Sequence, residues 1–185
     1  MLSAAMTARL GFNVTVTADA FAQPIGDFDD AMATAQVWTA TGDFVNPANA
    51  DVWKGTSGGA RVGVGAVSTC EMNGNNKGCD ASTGTLTSPL FTVDAARPFL
   101  NFLMSGGNPD GTVGLKVLDA AGEVLATYTP NSCNQSSIRD DGNWVTLDLS
   151  VQAGKQAQVQ IFDNESGGCG FLSFDHVYMG AVRKQ

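Results

Sequence analysis

Residues 162–177, FDNESGGCGFLSFDHV, gather Asp163, Glu165 and Asp175 with Asn164, Cys169 and His176, the single histidine of the chain. Glycoside hydrolysis would need two carboxylates held across a cleft, and the pairs on offer are Asp163 with Glu165 and Asp140 with Asp141. Both are close neighbours on polar turns, where carboxylates are ordinarily solvated. A Ser-His-acid arrangement would have to recruit His176, and no nucleophile motif stands near it. Period-two alternation places Leu172, Phe174, His176 and Tyr178 on one face of a strand, with Phe171, Ser173, Asp175 and Val177 on the other. His176 then reads as a packed or partly exposed strand residue. A zinc centre is not expected, because no two cysteines form a CxxC pair and only one histidine is on hand. The residues read as those of a non-enzyme.

The elements that must position them are short. From residue 23 onwards, alternating or apolar runs separated by Gly, Asn, Asp and Pro read as strands: QVWTATGDF, ARVGVGA, GTLTSPLFTV, RPFLNFLMSG, TVGLKVLDA, EVLATYTP, NWVTLDLS, QAQVQIFDN and GFLSFDHVYMGAV. Many short strands without an amphipathic helical stretch predict an all-β fold, an antiparallel β-sandwich of jelly-roll type. LDAAGEVLATYTP reads as a hairpin turning at Ala120-Ala121-Gly122. LSVQAGKQAQVQIF reads as a second hairpin, with Ala153-Gly154 as its turn and Val159 and Ile161 facing inwards. Trp38 and Trp144 lie in alternating strands and are expected in the core. The domain spans residues 23–185 and follows an N-terminal extension, residues 1–22.

That extension carries an extra strand at about 12–20, where Phe12, Val14, Val16 and Ala18 alternate with Asn13, Thr15, Thr17 and Asp19. Such a strand pairs with the edge of its own sheet or with a neighbouring subunit. A third reading is a degenerate signal. Ala20-Phe21-Ala22 fits a signal-peptidase site, although Asn13 and Asp19 interrupt the apolar run before it.

With 18 acidic against 10 basic residues, the chain of 185 residues carries a formal charge of -8. Nucleic acid and anionic lipid are therefore poor partners, and no run approaches the roughly 18 apolar residues that span a bilayer. Cys70 and Cys79 flank a loop, EMNGNNKG, whose Asn and Gly residues let its ends meet. A local disulfide there leaves Cys133 with Cys169. An even cysteine count in a loop-rich acidic chain fits an oxidising, extracellular setting; the alternative is four free thiols in a reducing one.

GTLTSPLFTV, then FLNFLMSGGN, then NWVTLDLSVQAGKQAQVQIFDNESGGCGFLSFDHV resemble a known family, and IGDFDDAMATAQVWTATGDFVNPA resembles its opening strand. The family is that of the β-sandwich accessory domains attached to levanases and related fructan-hydrolysing enzymes of glycoside hydrolase family 32, including levan-binding carbohydrate-binding modules. The likeness covers about residues 25–180. It implies a jelly-roll-like sandwich that binds a sugar without catalysis, sometimes with a structural calcium ion. Relatives commonly carry an aromatic where this chain has Cys169, so a stacking surface is exchanged for a disulfide. No hydrolase domain accompanies the sandwich, so targeting an enzyme in the same chain is not the expected role.

Sugar binding asks for an aromatic face and for charged or amide groups that grip hydroxyls. Trp53, among loop residues, is the expected aromatic. Asp43, Asn46, Asp51, Arg61, Asn108, Asp110, Asp163, Asn164 and Glu165 occupy strand ends or loops and form the expected polar set. SGGNPDG (105–111) and DNESGG (163–168) are glycine-flanked loops whose backbone lets a ligand approach. Calcium needs several oxygen ligands. Asp27, Asp29, Asp30 and Asp175 would meet if the first and last strands lie side by side. The expected function is glycan recognition by an extracellular or cell-surface module, the glycan fructan-like or another. The alternative is a structural or assembly subunit, of a filament, surface layer or virion, that self-associates through its N-terminal strand.

Overall fold

The computed structural model describes residues 23–26, 28–29, 36–44, 66–69, 80–107, 110–131 and 144–184. They form an all-β sandwich of two antiparallel sheets. Sheet A runs β1 (Gln23–Gly26), β11 (Leu172–Gly180), β6 (Phe99–Gly106), β9 (Trp144–Asp148), with β3 (Val67–Ser68) also on β11. Sheet B runs β2 (Thr39–Gly42), β4 (Gly84–Thr87), β10 (Gln156–Asp163), β7 (Val113–Asp119), β8 (Val124–Tyr128), with β5 (Phe91–Thr92) also on β10. Leu86, Leu100, Phe102, Leu115, Val117, Val159, Ile161 and Phe174 meet in the core between the sheets. Alternate residues enter that core, Leu100, Phe102 and Met104 from β6, Val113, Leu115 and Val117 from β7, and Ala157, Val159 and Ile161 from β10, as a sheet with one face on a core requires. Trp38 is in that core, its ring edge-on to Phe28.

The hairpin of β7 and β8 turns at Asp119–Gly122. Asp119 Oδ1 accepts the N–H groups of Ala121 and Glu123, and Gly122 takes φ +89°. The second expected hairpin is corrected. Ala153-Gly154 does not join paired strands, because β9 belongs to sheet A and β10 to sheet B. A 3-10 turn at Ser150–Gln152, followed by Gly154 at φ +82°, carries the chain across the sandwich. Local turn chemistry looks the same in both cases; only the partner sheet differs. Val159 and Ile161 do face inwards.

The alternation expected along 171–178 also breaks. β11 slips its register against β6 between Asp175 and Tyr178, and His176 sits at φ +51°. Beyond this bulge the order is reset: Phe174, Val177 and Met179 enter the core, while Tyr178 takes the other face of the sheet, where it stays buried against Trp144 and His176. A bulge re-aims side chains in this way because one extra residue shifts every later one to the other face.

Candidate functional site

The row Gly42, Gly84, Asp163, Val113 crosses sheet B in register, so β2, β4, β10 and β7 end together at one edge of the sandwich. Three segments with expected ligand residues meet there. Asn164 N–H donates to Thr112 O at 2.9 Å, and the Thr112 hydroxyl donates to Glu165 Oε2 at 3.3 Å. Those bonds join the turn that begins at Asp110 to the 163–168 loop. Asp43 Oδ2 accepts Thr83 N–H at 3.0 Å, and Asp43 N–H donates to Thr83 O at 2.8 Å, which fastens the end of β2 to the approach to β4. Asn164 and Asp110 are exposed, and Asp43 and Glu165 are half-buried. Trp53, Asn46, Asp51, Arg61 and Asn108 lie outside the described residues.

Asp163 is placed differently from its neighbours. It continues the inward series Ala157, Val159, Ile161 and is 0% exposed. A fully buried carboxyl cannot itself grip a sugar hydroxyl, which corrects its expected place on the binding rim. Its Oδ1 accepts Glu165 N–H at 3.2 Å, and the Thr69 hydroxyl, from beside β3, bonds the carboxyl from the other sheet. Burial pushes its pKa up to about 7, the bonds from Thr69 and Glu165 N–H opposing, and the charges of Glu165 and Asp80 raising it further. Oδ2 has no hydrogen-bond partner, and neither has the buried Oδ1 of Asp80.

A second polar surface stands on the outward face of sheet A. Trp144, expected in the core, shares its face with Thr146 and lies there instead, half-buried. Its ring meets His176 at 5.9 Å and Tyr178 at 6.0 Å, both edge-on, and Lys184 Nζ stands 5.5 Å from its centroid. Sequence reasoning missed this trio because the bulge that turns Tyr178 outward has no local signature. Parity alone was enough for Trp144, since Val145 and Leu147 pack on the core and Thr146 does not. A shallow depression of about 540 Å³ opens at the opposite end of β10, beside Gln23, Thr92, Asp94 and Arg97. Arg97 is bonded to Asp94 there at 2.6 Å, and none of the expected ligand residues among those described lines it.

Of the expected calcium set, Asp29 is exposed, Asp175 is 0% exposed, and Asp27 and Asp30 lie outside the described residues. The first and last strands do lie side by side. Gly26 pairs with Val177, so the chain leaves β1 close to Asp175 in register. Among the described residues, no group of three or more His, Cys, Asp or Glu side chains is arranged to hold a metal. Cys169, at φ +71°, is disulfide-bonded; Cys70, Cys79 and Cys133 lie outside the described residues. No helix among the described residues is long and apolar enough to cross a membrane.

No family model matches the chain. The Aspergillus rugulosus protein ecdE, a glycosyl hydrolase by name, is 30% identical over 158 residues, which make up 85% of this chain and 21% of that protein. The chain thus spans about a fifth of the curated relative it matches. Among solved structures it is similar to a cleaved adhesin domain of Lys-gingipain from Porphyromonas gingivalis, with TM-score 0.44 and 16% identity over 85% of this chain and 96% of that one. It is also similar to a carbohydrate-binding module with specific mannan recognition, with TM-score 0.43 and 14% identity over 86% of this chain and 95% of that one. None of these likenesses fixes a ligand.

Proposed function

We propose that the protein is a non-catalytic, glycan-binding β-sandwich module. The observation that carries this reading is the meeting, at one end of sheet B, of carboxylate and amide groups from separate segments: Asp43, Asp110, Asn164 and Glu165. The Asp43 segment is bonded to Thr83 and the Thr112 turn to the 163–168 loop, and the pairing of Asp163 with Gly84 brings the two to one end of the sheet. Polar groups held on a rigid scaffold can grip adjacent hydroxyls without reordering. Against hydrolysis, Asp163 is fully buried and Glu165 is bonded to Thr112 and to Gly167 N–H, so this pair flanks no open cleft. The match to a fifth of a protein named as a glycosyl hydrolase supports an accessory role of this kind.

In its finer form, the module works outside the cell on a fructan-like glycan. Asp27, Asp29, Asp30 and Asp175 hold a structural calcium ion where β1 meets β11, and Cys169 pairs with Cys133. The test is electrophoresis through gels containing levan or inulin, with a glycan array alongside. Retarded migration without release of reducing sugar is expected. The double substitution Asn164→Ala with Asp110→Ala should weaken retardation at least tenfold while leaving the melting temperature unchanged. A chain that binds no glycan on the array would sink the reading.

A further inference from the structure

Among the described residues, the mouth of the sandwich beneath the 163–170 loop holds two buried carboxylate oxygens without a hydrogen-bond partner. Asp163 is 0% exposed, and its Oδ2 accepts no hydrogen bond. Asp80 brings a second buried oxygen, Oδ1, in the same condition. Close by, Gly170 faces three backbone carbonyls. A methyl group added to its Cα would stand 2.7 Å from Asp80 O, 2.9 Å from Glu165 O and 2.9 Å from Gly167 O. Of these carbonyls, Gly167 O accepts Gly170 N–H at 3.1 Å. A buried acceptor left without a partner is costly, and acceptors crowded together repel. Natural interiors resolve such a set with a proton, a water or a cation.

We propose that the chain binds a divalent cation of the calcium type at Asp80 and Asp163, with the carbonyl oxygens around Gly170 completing the donor set. The chemistry of the donors selects the ion. They are oxygen only, two carboxylates with neutral carbonyls, which suits a hard cation of high coordination number and is unlike a zinc site built from thiolate and imidazole. Among the described residues at this mouth, Asp80 and Asp163 are the acidic side chains with a buried oxygen that accepts no hydrogen bond, so the backbone must supply the rest. The carbonyls themselves require glycine at 170, since a Cβ would stand within 2.9 Å of all three. The ion would fasten the 163–170 loop to the residues before β4 and, through Thr69, to sheet A. This site is distinct from the calcium set at the β1–β11 junction and does not rest on the glycan reading.

The test is isothermal titration of the full chain with calcium at pH 7, paired with melting curves in chelator and in calcium. Binding and a rise in melting temperature are expected, with magnesium markedly weaker. Asp80→Asn and Asp163→Asn should each lower one calcium step at least tenfold, whereas Asp175→Asn should leave that step intact. Should Asp163→Asn fail to fold, Asp80→Asn decides, because Asp80 is only half-buried on a loop. The proposal is overturned if calcium neither binds nor shifts the wild-type melt, which would leave a proton or water as the occupant. It is equally overturned if both variants keep the wild-type calcium response.

Discussion

Asn101 and Asp163 are both polar, both on strands and both 0% exposed, yet their surroundings are opposite in kind. Asn101 is closed on every side. Its Nδ2 donates to Val182 O at 3.0 Å, and its Oδ1 accepts the Thr146 hydroxyl at 2.6 Å and Lys184 N–H at 3.1 Å. Asp163 takes Glu165 N–H at Oδ1 and a bond from the Thr69 hydroxyl, and its Oδ2 accepts no hydrogen bond. An amide brings donors and acceptors together, so a protein can complete its network from within. A cluster of carboxylates and carbonyls is rich in acceptors, and among the described residues Glu165 N–H, the Thr69 hydroxyl and Gly170 N–H answer only part of it. The first arrangement holds the C-terminal residues against sheet A; the second leaves two buried carboxylate oxygens, on Asp163 and Asp80, without a hydrogen bond.

The comparison breaks most visibly at Asn101. Asn101→Ala removes the bonds to the Thr146 hydroxyl and to the Lys184 and Val182 backbone groups and leaves a gap at a fully buried position, and should cost about 2 kcal/mol. Urea unfolding measures it, and the loss should be equal in calcium and in chelator. Asp163→Asn should act in the opposite direction when cations are removed, because it deletes a buried charge at nearly constant shape. The sign of the pH dependence follows from the same carboxyl. Its folded pKa of about 7 stands above the ordinary 3.8, so between these values the folded chain holds a proton that the unfolded chain lacks. The stability this contributes is present below about pH 4 and is lost as pH rises through 7. In chelator, the urea midpoint should therefore fall from pH 5 to pH 8, and Asp163→Asn should flatten the slope. Asp94 and Asp148 do not confuse this window. The N–H of Ala96 holds the first below the usual carboxylate range and the Ser150 hydroxyl the second, so both stay ionised across it. A wild-type midpoint that rises over the same interval would remove the distinction between the two buried groups.

What sequence could and could not reach divides along the same line. Strand β6 to strand β8, β10 and the turn at Gly122 are legible because periodicity and turn chemistry are local. The inward aim of Asp163 was legible too, two residues beyond Ile161 in one alternating series. Trp144 needed only its parity with Thr146. By contrast, the bulge at His176 arises from pairing with β6, and the crossing at Ala153-Gly154 depends on which sheet receives β10. Neither is written in its own segment. Asp80 and Thr69 come near Asp163 only through the meeting of segments about a hundred residues apart in sequence, one pair of which is recorded by the Leu172 N–H bond to Thr69 Oγ1. Single-segment reading finds the acids but not which of them share a buried space.

The smallest effect separates backbone from side chain at Lys184. Its ammonium stands 5.5 Å from the Trp144 ring centroid, a contact worth about 0.5 kcal/mol where solvent reaches it. Its backbone N–H does more. It donates to both Asn101 Oδ1 and the Thr146 hydroxyl at 3.1 Å, inside the closed network. Lys184→Pro removes that hydrogen and leaves two acceptors short, which should cost about 1 kcal/mol. Lys184→Ala keeps the hydrogen and should cost half as much or less. Urea midpoints of the two variants in parallel settle the order. If alanine proves the more damaging, the C-terminal residues are held by the aromatic face rather than by Asn101, and the closed network is less complete than its hydrogen bonds imply.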